Sequence, residues 1–562
     1  MRFQRVAQGI SFGIFAALLV LAAYPFAEGV QVDFFLRMDP VLGVATLIAA
    51  KVFLFFLIPA LVVLSITVVA GRLFCGFVCP MGTTIDLMDS CLRPNRKATA
   101  RESSYEATSR FRGWKYLLLI SILVAAVAGT SLVHLGSPLS LVTRFFGLVV
   151  HPILLLVADQ GIHWSAPLAT VYPDLQYIQF PRKVFATNAF VALIFVAIGL
   201  LVYVHPRFWC RNLCPAGALM GFLARKPLFR RTVSESCTCC GQCSRACPMG
   251  AISENPLHTV FSECIMCERC REVCPVGAVG FWTAPSLEGA NIEPDPTRRG
   301  LLFSAASGLL AAGLFRTSIH QPSVGSADTV LVAGDLIRPP GALPEPEFLS
   351  RCVRCGECMK ACATNTLQPI WLKAGLEGIF SPVLVTRLAG CAITCNVCGK
   401  VCPTGAIRDL PLIEKQHAKV GTAWINRSNC LVWEQDRKCL VCDEVCLYNA
   451  VSFKPVPGLK NAAPFVEENR CTGCGWCESK CPVQGESAIK VNILGEVRLA
   501  TGSYVEKAKE YGFVFKSRDN SGDKLAPETF DPLRKSGAQP PSLGPEDEAG
   551  VVLPPGFLPN KQ

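Results

Sequence analysis

Long apolar stretches alternate with short basic segments along residues 1–230 of the chain. A helix needs about 20 apolar residues to cross the hydrocarbon core of a bilayer. We therefore predict an α-helical membrane domain with four spans. The first stretch is short enough to suggest a cleaved signal peptide instead, but no small-residue cleavage site with a soluble mature chain follows it. The predicted spans are roughly Ile10–Ala27, Val41–Ala70, Gly113–Val133 and Lys183–Val204.

A further apolar segment, Leu139–Ala158, lies between the third and fourth predicted spans. It contains Arg144, His151 and Pro152, which are unusual in a lipid-facing helix. Irregular or polar segments at membrane depth are tolerated where protein or water covers them. We therefore expect an interfacial or re-entrant segment.

Basic residues predict the orientation of the spans. Since positively charged loops stay in the cytoplasm, the segments before span one, between spans two and three, and after span four are expected there. Arg182 and Lys183 are minor exceptions on the other side. The net charge of +11 is thus interpreted as membrane orientation and not as nucleic-acid binding. The basic residues are Arg2, Arg5, Arg93, Arg96, Lys97, Arg101, Arg110, Arg112, Lys115, Arg207, Arg211, Arg225, Lys226, Arg230 and Arg231.

Residues 291–325 hold a second signal, because Arg298 and Arg299 precede a short apolar run that ends near Phe315. Twin arginines before such a run resemble a Tat export signal, which serves proteins that fold before export. An ordinary fifth span would place the following domain on the same outer side, whereas a run buried in a soluble core would keep everything inside. Residues 501–562 are rich in Pro, Gly and charge, and we expect an extended or disordered tail.

Cysteine is the most informative residue type, with 30 in 562 residues. Of these, 24 fall in six groups of four, mostly spaced C-x2-C-x2-C-x3-C. A disulfide framework is one rival interpretation, but such scaffolds are usually short, and cysteines two or three residues apart pair poorly with each other. Structural zinc sites also use C-x2-C pairs. Three cysteines in one tight loop favour a [4Fe–4S] cluster when a fourth cysteine follows after three intervening residues.

In the bacterial ferredoxin run, the fourth cysteine ligates the neighbouring cluster. Each pair of runs therefore predicts two interleaved ligand sets, in α+β bacterial ferredoxin-like 2[4Fe-4S] modules over residues 231–290 and 326–500. We name each set by its first cysteine. Two runs have a widened first gap, and proline is missing after Cys362 and Cys446. The sets are Cys237, Cys240, Cys243 and Cys274; Cys264, Cys267, Cys270 and Cys247; Cys352, Cys355, Cys358 and Cys402; Cys391, Cys395, Cys398 and Cys362; Cys430, Cys439, Cys442 and Cys481; and Cys471, Cys474, Cys477 and Cys446.

Two C-x3-C-P motifs stand apart from these runs, and each follows an apolar stretch. Their cysteines are Cys75, Cys79, Cys210 and Cys214, hereafter the four-thiol site. Four thiolates suffice for one additional metal centre, while a copper site or a structural cysteine pair is the alternative. Cys91 and Cys239 belong to no set, and we expect plain buried thiols. No Walker loop or dinucleotide fingerprint is present in the sequence.

These motifs resemble a known family. Residues 1 to about 280 resemble NapH-type membrane ferredoxins, with four spans, two C-x3-C-P motifs and a two-cluster ferredoxin. Residues from about 297 to 500 resemble NapG-type or MauM-type exported ferredoxins, with a twin-arginine leader and four clusters. The departure from both is that one chain carries the two parts.

The resemblance implies a protein of the bacterial inner membrane that oxidises quinol and passes electrons to a periplasmic reductase or small cytochrome. Ionisable residues near the membrane are candidates for the quinol site. They are His134, Arg144, His151 and His163. The alternative is that they are interfacial residues of a solvated loop. A reduced cytoplasmic donor could replace quinol, with the four-thiol site bridging the halves.

Two rival functions remain open at this stage. The first is a maturation factor that reduces a metal or cofactor site in another protein, in copper delivery or amine-dehydrogenase assembly. The second is a structural zinc protein that scaffolds a membrane complex.

Overall fold

The computed structural model describes residues 2–26, 29–52, 55–92, 111–164, 182–253, 255–283, 298–316, 336–372 and 375–515. The orientation residues Arg93, Arg96, Lys97, Arg101 and Arg110 lie outside this part of the chain.

The amino-terminal part folds into a bundle of helices. Thirteen α-helices are described between residues 2 and 223. They are α1 (Arg2–Leu21), α2 (Phe34–Arg37), α3 (Pro40–Ala50), α4 (Ile58–Ala70), α5 (Leu73–Phe77), α6 (Pro80–Leu92), α7 (Trp114–Val127), α8 (Val133–Gly136), α9 (Pro138–Phe145), α10 (His151–Trp164), α11 (Asn188–Leu200), α12 (Phe208–Asn212) and α13 (Pro215–Leu223).

Helices occupy all four predicted spans, but most are shorter than expected. Only Phe3–Leu21 and Pro138–Gly161 are long and apolar enough to cross a bilayer, among the residues described. The second predicted span is split, because Lys51 adopts a left-handed conformation (φ 53°) that ends α3. Shorter apolar helices stand at Pro40–Ala50, Phe55–Ala70, Trp114–Val127, Asn188–Tyr203 and Arg299–Phe315.

The segment expected to be interfacial or re-entrant is instead a continuous helix of 24 residues, Pro138–Gly161. A π-helical turn at Phe146–Val150 joins α9 to α10. The polar residues that suggested an interface do not break the helix. Arg144 turns inward and donates hydrogen bonds to protein carbonyls, so its charge does not face lipid.

The twin-arginine segment forms helix α16 (Arg298–Arg316), which packs lengthwise on α7. Ser121 Oγ of α7 donates to the carbonyl of Ser304 (3.0 Å) and lies 2.9 Å from Ser307 Oγ. A Cβ on Gly308 would lie 2.7 Å from the carbonyl oxygen of Ser121, so only glycine allows this approach. Small residues that recur every fourth position typify helix packing in membranes.

Three ferredoxin modules follow the bundle, and we number them by residues 229–283, 336–411 and 422–492. Their sheets are small antiparallel pairs: β1 with β2, β3 with β4, β5 with β8, and β6 with β7. The elements of the first module are β1 (Phe229–Val233), α14 (Gln242–Ala246), α15 (Arg269–Glu272) and β2 (Val279–Thr283). Those of the second are α17 (Glu345–Arg351), α18 (Glu357–Ala361), β3 (Leu367–Pro369), β4 (Pro382–Leu384) and α19 (Val397–Lys400), followed by α20 (Leu412–His417). Those of the third are β5 (Thr422–Ile425), α21 (Leu431–Gln435), α22 (Val441–Glu444), β6 (Val451–Lys454), β7 (Ala463–Val466), α23 (Trp476–Lys480) and β8 (Ile489–Asn492).

The expected tail begins later than residue 501. Helix α24 (Tyr504–Glu510) is capped by the Ser503 hydroxyl and packs on α20. Glu414 of α20 accepts hydrogen bonds from the Ser503 hydroxyl (2.6 Å) and the Tyr504 amide (2.5 Å). The buried Tyr504 ring gives this segment the apolar anchor that the composition of residues 501–562 does not reveal. Residues 516–562 lie outside the described part.

The second module contacts one end of α1, and the other end contacts a bundle residue, Gly76, on which the first module packs. Near its start, Gln4 and Gln8 donate to the carbonyl of Gly76 (3.1 Å each), where the first module also packs. At its end, Lys360 of the second module donates to the carbonyls of Leu19 and Ala22. A 20-residue helix is about 30 Å long, which matches the thickness of a bilayer core.

Candidate iron-sulfur sites

The backbone of the cysteine runs wraps around the thiols. In four runs the residue before the second cysteine and the residue after it both have positive φ. Left-handed residues on both sides of a cysteine turn backbone N–H groups toward a common centre, which suits an anionic group. These residues are Cys239 and Gly241, Met266 and Glu268, Arg354 and Gly356, and Gly473 and Gly475.

Four of the predicted ligand sets each surround one cavity. Every such cavity is lined by three cysteines of one run and by the last cysteine of its partner run. These are the Cys264, Cys352, Cys430 and Cys471 sets.

The other two sets are brought together to different degrees. In the Cys391 set, the thiols of Cys391, Cys395 and Cys362 all act on the pKa of Cys398, which burial raises well above its usual value. In the Cys237 set, Cys237 and Cys240 act in the same way on Cys243. Cys274, the fourth member, packs in the apolar core of the first module with Cys243.

Backbone amides point at the cysteine sulfurs. The amides of Ala251, Ala278 and Ala450 donate to Cys247 (3.3 Å), Cys274 (3.3 Å) and Cys446 (3.2 Å). Each acceptor is the last cysteine of its run. Such N–H···S bonds stabilise a thiolate over a thiol.

Burial has the opposite effect on other thiols of the sets. It raises the pKa of both Cys442 and Cys474 to about 12, and that of Cys270 to about 12. The sites therefore need positive charge from iron to hold their thiolates, so cluster assembly must release protons. Within the described residues, no three His, Cys, Asp or Glu side chains converge on a point that one metal ion could occupy.

The two C-x3-C-P motifs meet in the helical bundle. Burial and the nearby Cys75 and Cys210 thiols raise the pKa of Cys79, and burial raises that of Cys210 to about 11. Cys214 is influenced by all three of its partners. Cys79 and Cys214 directly precede α6 and α13, whose first residues are Pro80 and Pro215.

The two motifs are related by reciprocal arginines. Arg72 precedes the first motif, and its guanidinium lies against Gly217, which follows the second. Arg207 precedes the second motif and lies against Gly82, which follows the first. The sequence contains this pattern twice, as Arg-x2-Cys-x3-Cys-Pro-x-Gly. Each glycine leaves space for the arginine of the other motif.

Ion pairs hold these arginines. Arg72 Nη1 donates to Glu263 (3.1 Å), and Lys115 Nζ contacts the same carboxylate at 2.5 Å. Arg207 donates two hydrogen bonds to Asp86 (2.8 and 2.6 Å), and its charge lowers the pKa of that carboxyl to about 2 against the opposing effect of burial. Arg112, Lys115, Arg207 and Arg211, expected from the sequence as orientation signals, are all buried.

Polar groups around the four-thiol site remain unsatisfied. Arg72 Nε and Nη2, Trp209 Nε1 and both amide atoms of Asn212 are buried without a hydrogen-bond partner among the described residues. Orphaned donors are costly in a protein interior. They fit an additional anionic group held by the four thiols.

The four-thiol site adjoins both halves of the protein. Cys75 and Cys210 pack against a core of Met249, Ala251 and Ile265, which also touches Cys247, Cys264 and Cys267 of the first module. On another side, Gly136 of α8 packs closely against the Pro215 ring, since a Cβ at position 136 would lie 2.7 Å from that ring. Helix α8 leads into α9, where Ser140 Oγ donates to the carbonyl of Val353 in the Cys352 loop (2.8 Å).

The quinol candidates lie in different settings. His134 and Arg144 are buried against the second module. Arg354 Nη1 donates to His134 Nδ1 (2.8 Å), and burial with the charges of Arg354 and Arg144 holds the pKa of His134 well below its usual value. His151 is partly exposed, with a buried Nδ1 that has no partner among the described residues. The side chain of His163 lies outside the described part.

Cys91 and Cys239 are exposed, which corrects the expectation of buried thiols. Cys91 lies in the last turn of α6, and Cys239 lies in the outer loop of the first run. Arg354, Lys360 and Lys183 were missed from the sequence as site residues. No local pattern marks them, because their partners lie 177–341 residues away.

Comparisons with known proteins agree with iron–sulfur chemistry. A family model described as "4Fe-4S binding domain" matches residues 52–99 and 187–234, and another with that description matches residues 464–484. The methylamine utilization ferredoxin-type protein MauM of Methylorubrum extorquens is 37% identical over 207 residues, 35% of this chain and 89% of that protein. The ferredoxin-type protein NapG of Escherichia coli is 36% identical over 196 residues, 33% of this chain and 80% of that protein. NapF of Escherichia coli is 29% identical over 157 residues, 28% of this chain and 86% of that protein.

Proposed function

The chain belongs to the family of MauM and NapG ferredoxin-type proteins, an iron–sulfur electron-transfer family, and on that premise we propose that it is a membrane-bound electron conduit. In this proposal a NapH-type membrane half and a NapG-type exported half are fused. Residues 1–283 receive electrons at the inner membrane of a bacterium, and residues 326–500 deliver them to a periplasmic reductase or small cytochrome.

The interleaved cysteine sets support six [4Fe–4S] clusters. The main observation in support is that four of the six sets surround a cavity. Each of these cavities is lined by three cysteines of one run and the last cysteine of its partner run, as expected of paired runs. Each bound cluster would supply one-electron transfer. The protein's part is to hold the thiolates, exclude water and direct amides at sulfur.

Neighbouring sets in the exported half are in contact. The Cys391 amide donates to the carbonyl of Cys474 (2.7 Å), and Trp476 Nε1 donates to the carbonyl of Cys391 (3.1 Å). Paired runs already place the Cys352 set beside the Cys391 set, and the Cys471 set beside the Cys430 set. The ligand sets thus form a continuous series from the bundle outward.

Two features support a membrane location. Large apolar side chains are exposed along the outer faces of the bundle helices, including Phe190, Leu193, Val196 and Leu200 on α11. Such contiguous apolar surface is unstable in water and suits lipid. Lys360 of the second module also contacts the end of α1, a helix about 30 Å long whose start contacts Gly76 beside the first module. We therefore propose that the first module is cytoplasmic and the later ones periplasmic.

The four-thiol site is proposed as a seventh metal centre that bridges the two halves. Its neighbours support this role, because one side contacts the Cys264 set and another approaches the Cys352 loop through α8 and α9. The orphaned donors of Arg72 and Asn212 support an anionic occupant.

Quinol is the proposed electron donor, and its oxidation requires a proton acceptor at the bilayer surface. His151 is the candidate that remains accessible for this role, since its side chain is partly exposed on a helix long enough to span, although its Nδ1 is buried. The structure argues against direct quinol contact by His134 and Arg144 in this conformation, since both are buried.

The proposal is tested with anaerobically purified protein in detergent. Six clusters require about 24 iron atoms and seven require about 28, at four iron per centre. A reduced quinol should develop the paramagnetic signal of reduced clusters in wild type, and His151→Ala should slow this reaction while dithionite reduction stays unchanged. Little iron would end the electron-transfer proposal, and full iron without reduction by quinol would end the quinol step alone.

A maturation role is the second candidate. It is favoured by the similarity to MauM, whose name assigns that relative to methylamine utilization. In that case the protein would reduce a metal or cofactor site in another protein. Reduction of added cupric ion by dithionite-reduced protein, at a rate unaffected by quinol, would favour this role.

A further inference from the structure

Two arginines meet at the contact between the bundle and the second module. Arg144 of α9 is 3% exposed, and Arg354, between Cys352 and Cys355, is 1% exposed. Arg144 Nε donates to the backbone carbonyl of Arg354 (2.8 Å), which fixes the Arg144 side chain against the loop that carries Arg354. Residues separated by 210 positions thus place two positive charges in one buried region.

The hydrogen-bond acceptors of these guanidinium groups are neutral. Arg144 Nη2 donates to the carbonyl of His134 and to Ser140 Oγ (3.3 Å each), and the Phe380 ring lies 4.7 Å from its guanidinium carbon. Arg354 donates to the carbonyls of Ser131 (2.7 Å) and Glu377, and to His134 Nδ1. Among the described residues, no carboxylate forms an ion pair with Arg144. Glu377 and Glu345 both act electrostatically on Arg354, and Glu345 is already paired with Arg338 and Arg498 (2.6 Å each).

Unpaired buried charges are unstable, so Arg144 needs a negatively charged neighbour. Among the neighbouring side chains, the Cys355 thiol acts most strongly on the charge of Arg144, followed by Arg354 and Cys352. Arg354 itself lines the cavity of the Cys352 set. The natural counter-charge is therefore a cluster held in that cavity by four thiolates.

From this placement we propose that Arg144 and Arg354 form the counter-charge of the Cys352-site cluster and raise its reduction potential. This rests on the proposed function, since it needs a [4Fe–4S] cluster at that site. Reduction adds one electron, and hence one negative charge, to the cluster. Two fixed positive charges stabilise the reduced form more than the oxidised form. The membrane half thereby tunes the first electron acceptor of the exported half, and the site is complete only when the halves are docked.

The test compares charge with hydrogen bonding in purified whole protein. Arg144→Gln removes the charge but keeps a donor, whereas Arg144→Lys keeps the charge but loses the planar fork. Arg182→Gln, an exposed arginine on a neighbouring segment, is the control. Redox titration with dithionite and mediators, followed by paramagnetic resonance, gives the midpoint potential of each cluster. Cys358→Ser identifies the relevant signal by its loss.

We expect Arg144→Gln to move that one midpoint to a more negative value, while Arg144→Lys and Arg182→Gln leave it in place. Arg354→Gln and Arg354→Lys should repeat the pattern. If Arg144→Gln alone loses four iron atoms, the charge is needed to retain the cluster, which supports the pairing. The proposal would be overturned if the Gln and Lys variants shifted the midpoint potential equally or lost iron equally. It would also be overturned if the Gln variants kept full iron and an unchanged midpoint potential. Should Cys358→Ser lose no iron, the cluster assignment fails instead.

Discussion

Glu263 joins the first ferredoxin module to the helical bundle, and its removal should loosen that contact strongly. Its carboxylate is fully buried between Lys115 (2.5 Å) and Arg72 (3.1 Å) of the bundle. Removing one partner of a buried ion pair costs about 3–5 kcal/mol, because the remaining charges are stranded. Glu263→Gln strands two cations, so we expect the upper part of this range.

Native-state hydrogen exchange measures this cost. The amides of β1 and β2 should exchange faster by roughly three to four orders of magnitude, at about 1.4 kcal/mol per tenfold change. Glu268→Gln is the matched control, because Glu268 forms only an exposed pair with Arg271 (3.6 Å) worth under about 1 kcal/mol. In the Glu263→Gln background, Lys115→Met should cost less than it does in wild type. An increase below tenfold, or an equal effect of both glutamate variants, would refute this account of the contact.

Three further predictions concern other regions. Gly308→Leu should lower the thermal stability of the detergent-solubilised protein, since overpacking costs about 1–3 kcal/mol. Gly313→Leu is the control and should not lower it, because nothing lies within 4 Å of a Cβ at that position. Equal effects of the two variants would contradict the tight packing of α7 on α16. Arg338 holds the pKa of Glu345 below its usual value despite burial, so the stability that Glu345 adds is complete above the ordinary glutamate pKa and lost as pH falls below it. Chemical denaturation should show Glu345→Gln less stable than wild type at neutral pH, with a gap that narrows on acidification, and a gap independent of pH would contradict this. Cys91→Ser and Cys239→Ser should retain full iron by chemical assay, whereas Cys240→Ser should lose iron. Iron loss from Cys239→Ser would show that the Cys237 set is wrongly assigned.

Local spacing made the cysteine sets predictable, because each run folds as one short loop. The αL residues at positions such as Gly356 and Gly475 are fixed by that loop and need no distant partner. The swapped fourth cysteine was inferred from the pairing of runs, and cavities such as that of the Cys430 set have this arrangement even where the first gap is widened.

The docking contacts could not be derived in the same way. Arg354 and His134 are 220 residues apart, and neither lies in a pattern that names the other. Hydropathy likewise predicted where helices form but not that Pro138–Gly161 continues past Arg144. One signal was available in the sequence, because Arg72 and Arg207 occupy the same position in two copies of one motif. The repeat implies a shared site with reciprocal contacts.

Contacts with the helical bundle give the second module a fixed position. A single apolar core contains Cys79 and Cys214 of the four-thiol site together with Val353 and Cys355 of the Cys352 loop. Lys360 strengthens the contact by donating to the free carbonyls at the end of α1, a favourable place for a cation. Since the same loop supplies both the docking arginine and two thiols, the Cys352 site and the contact with the bundle share residues.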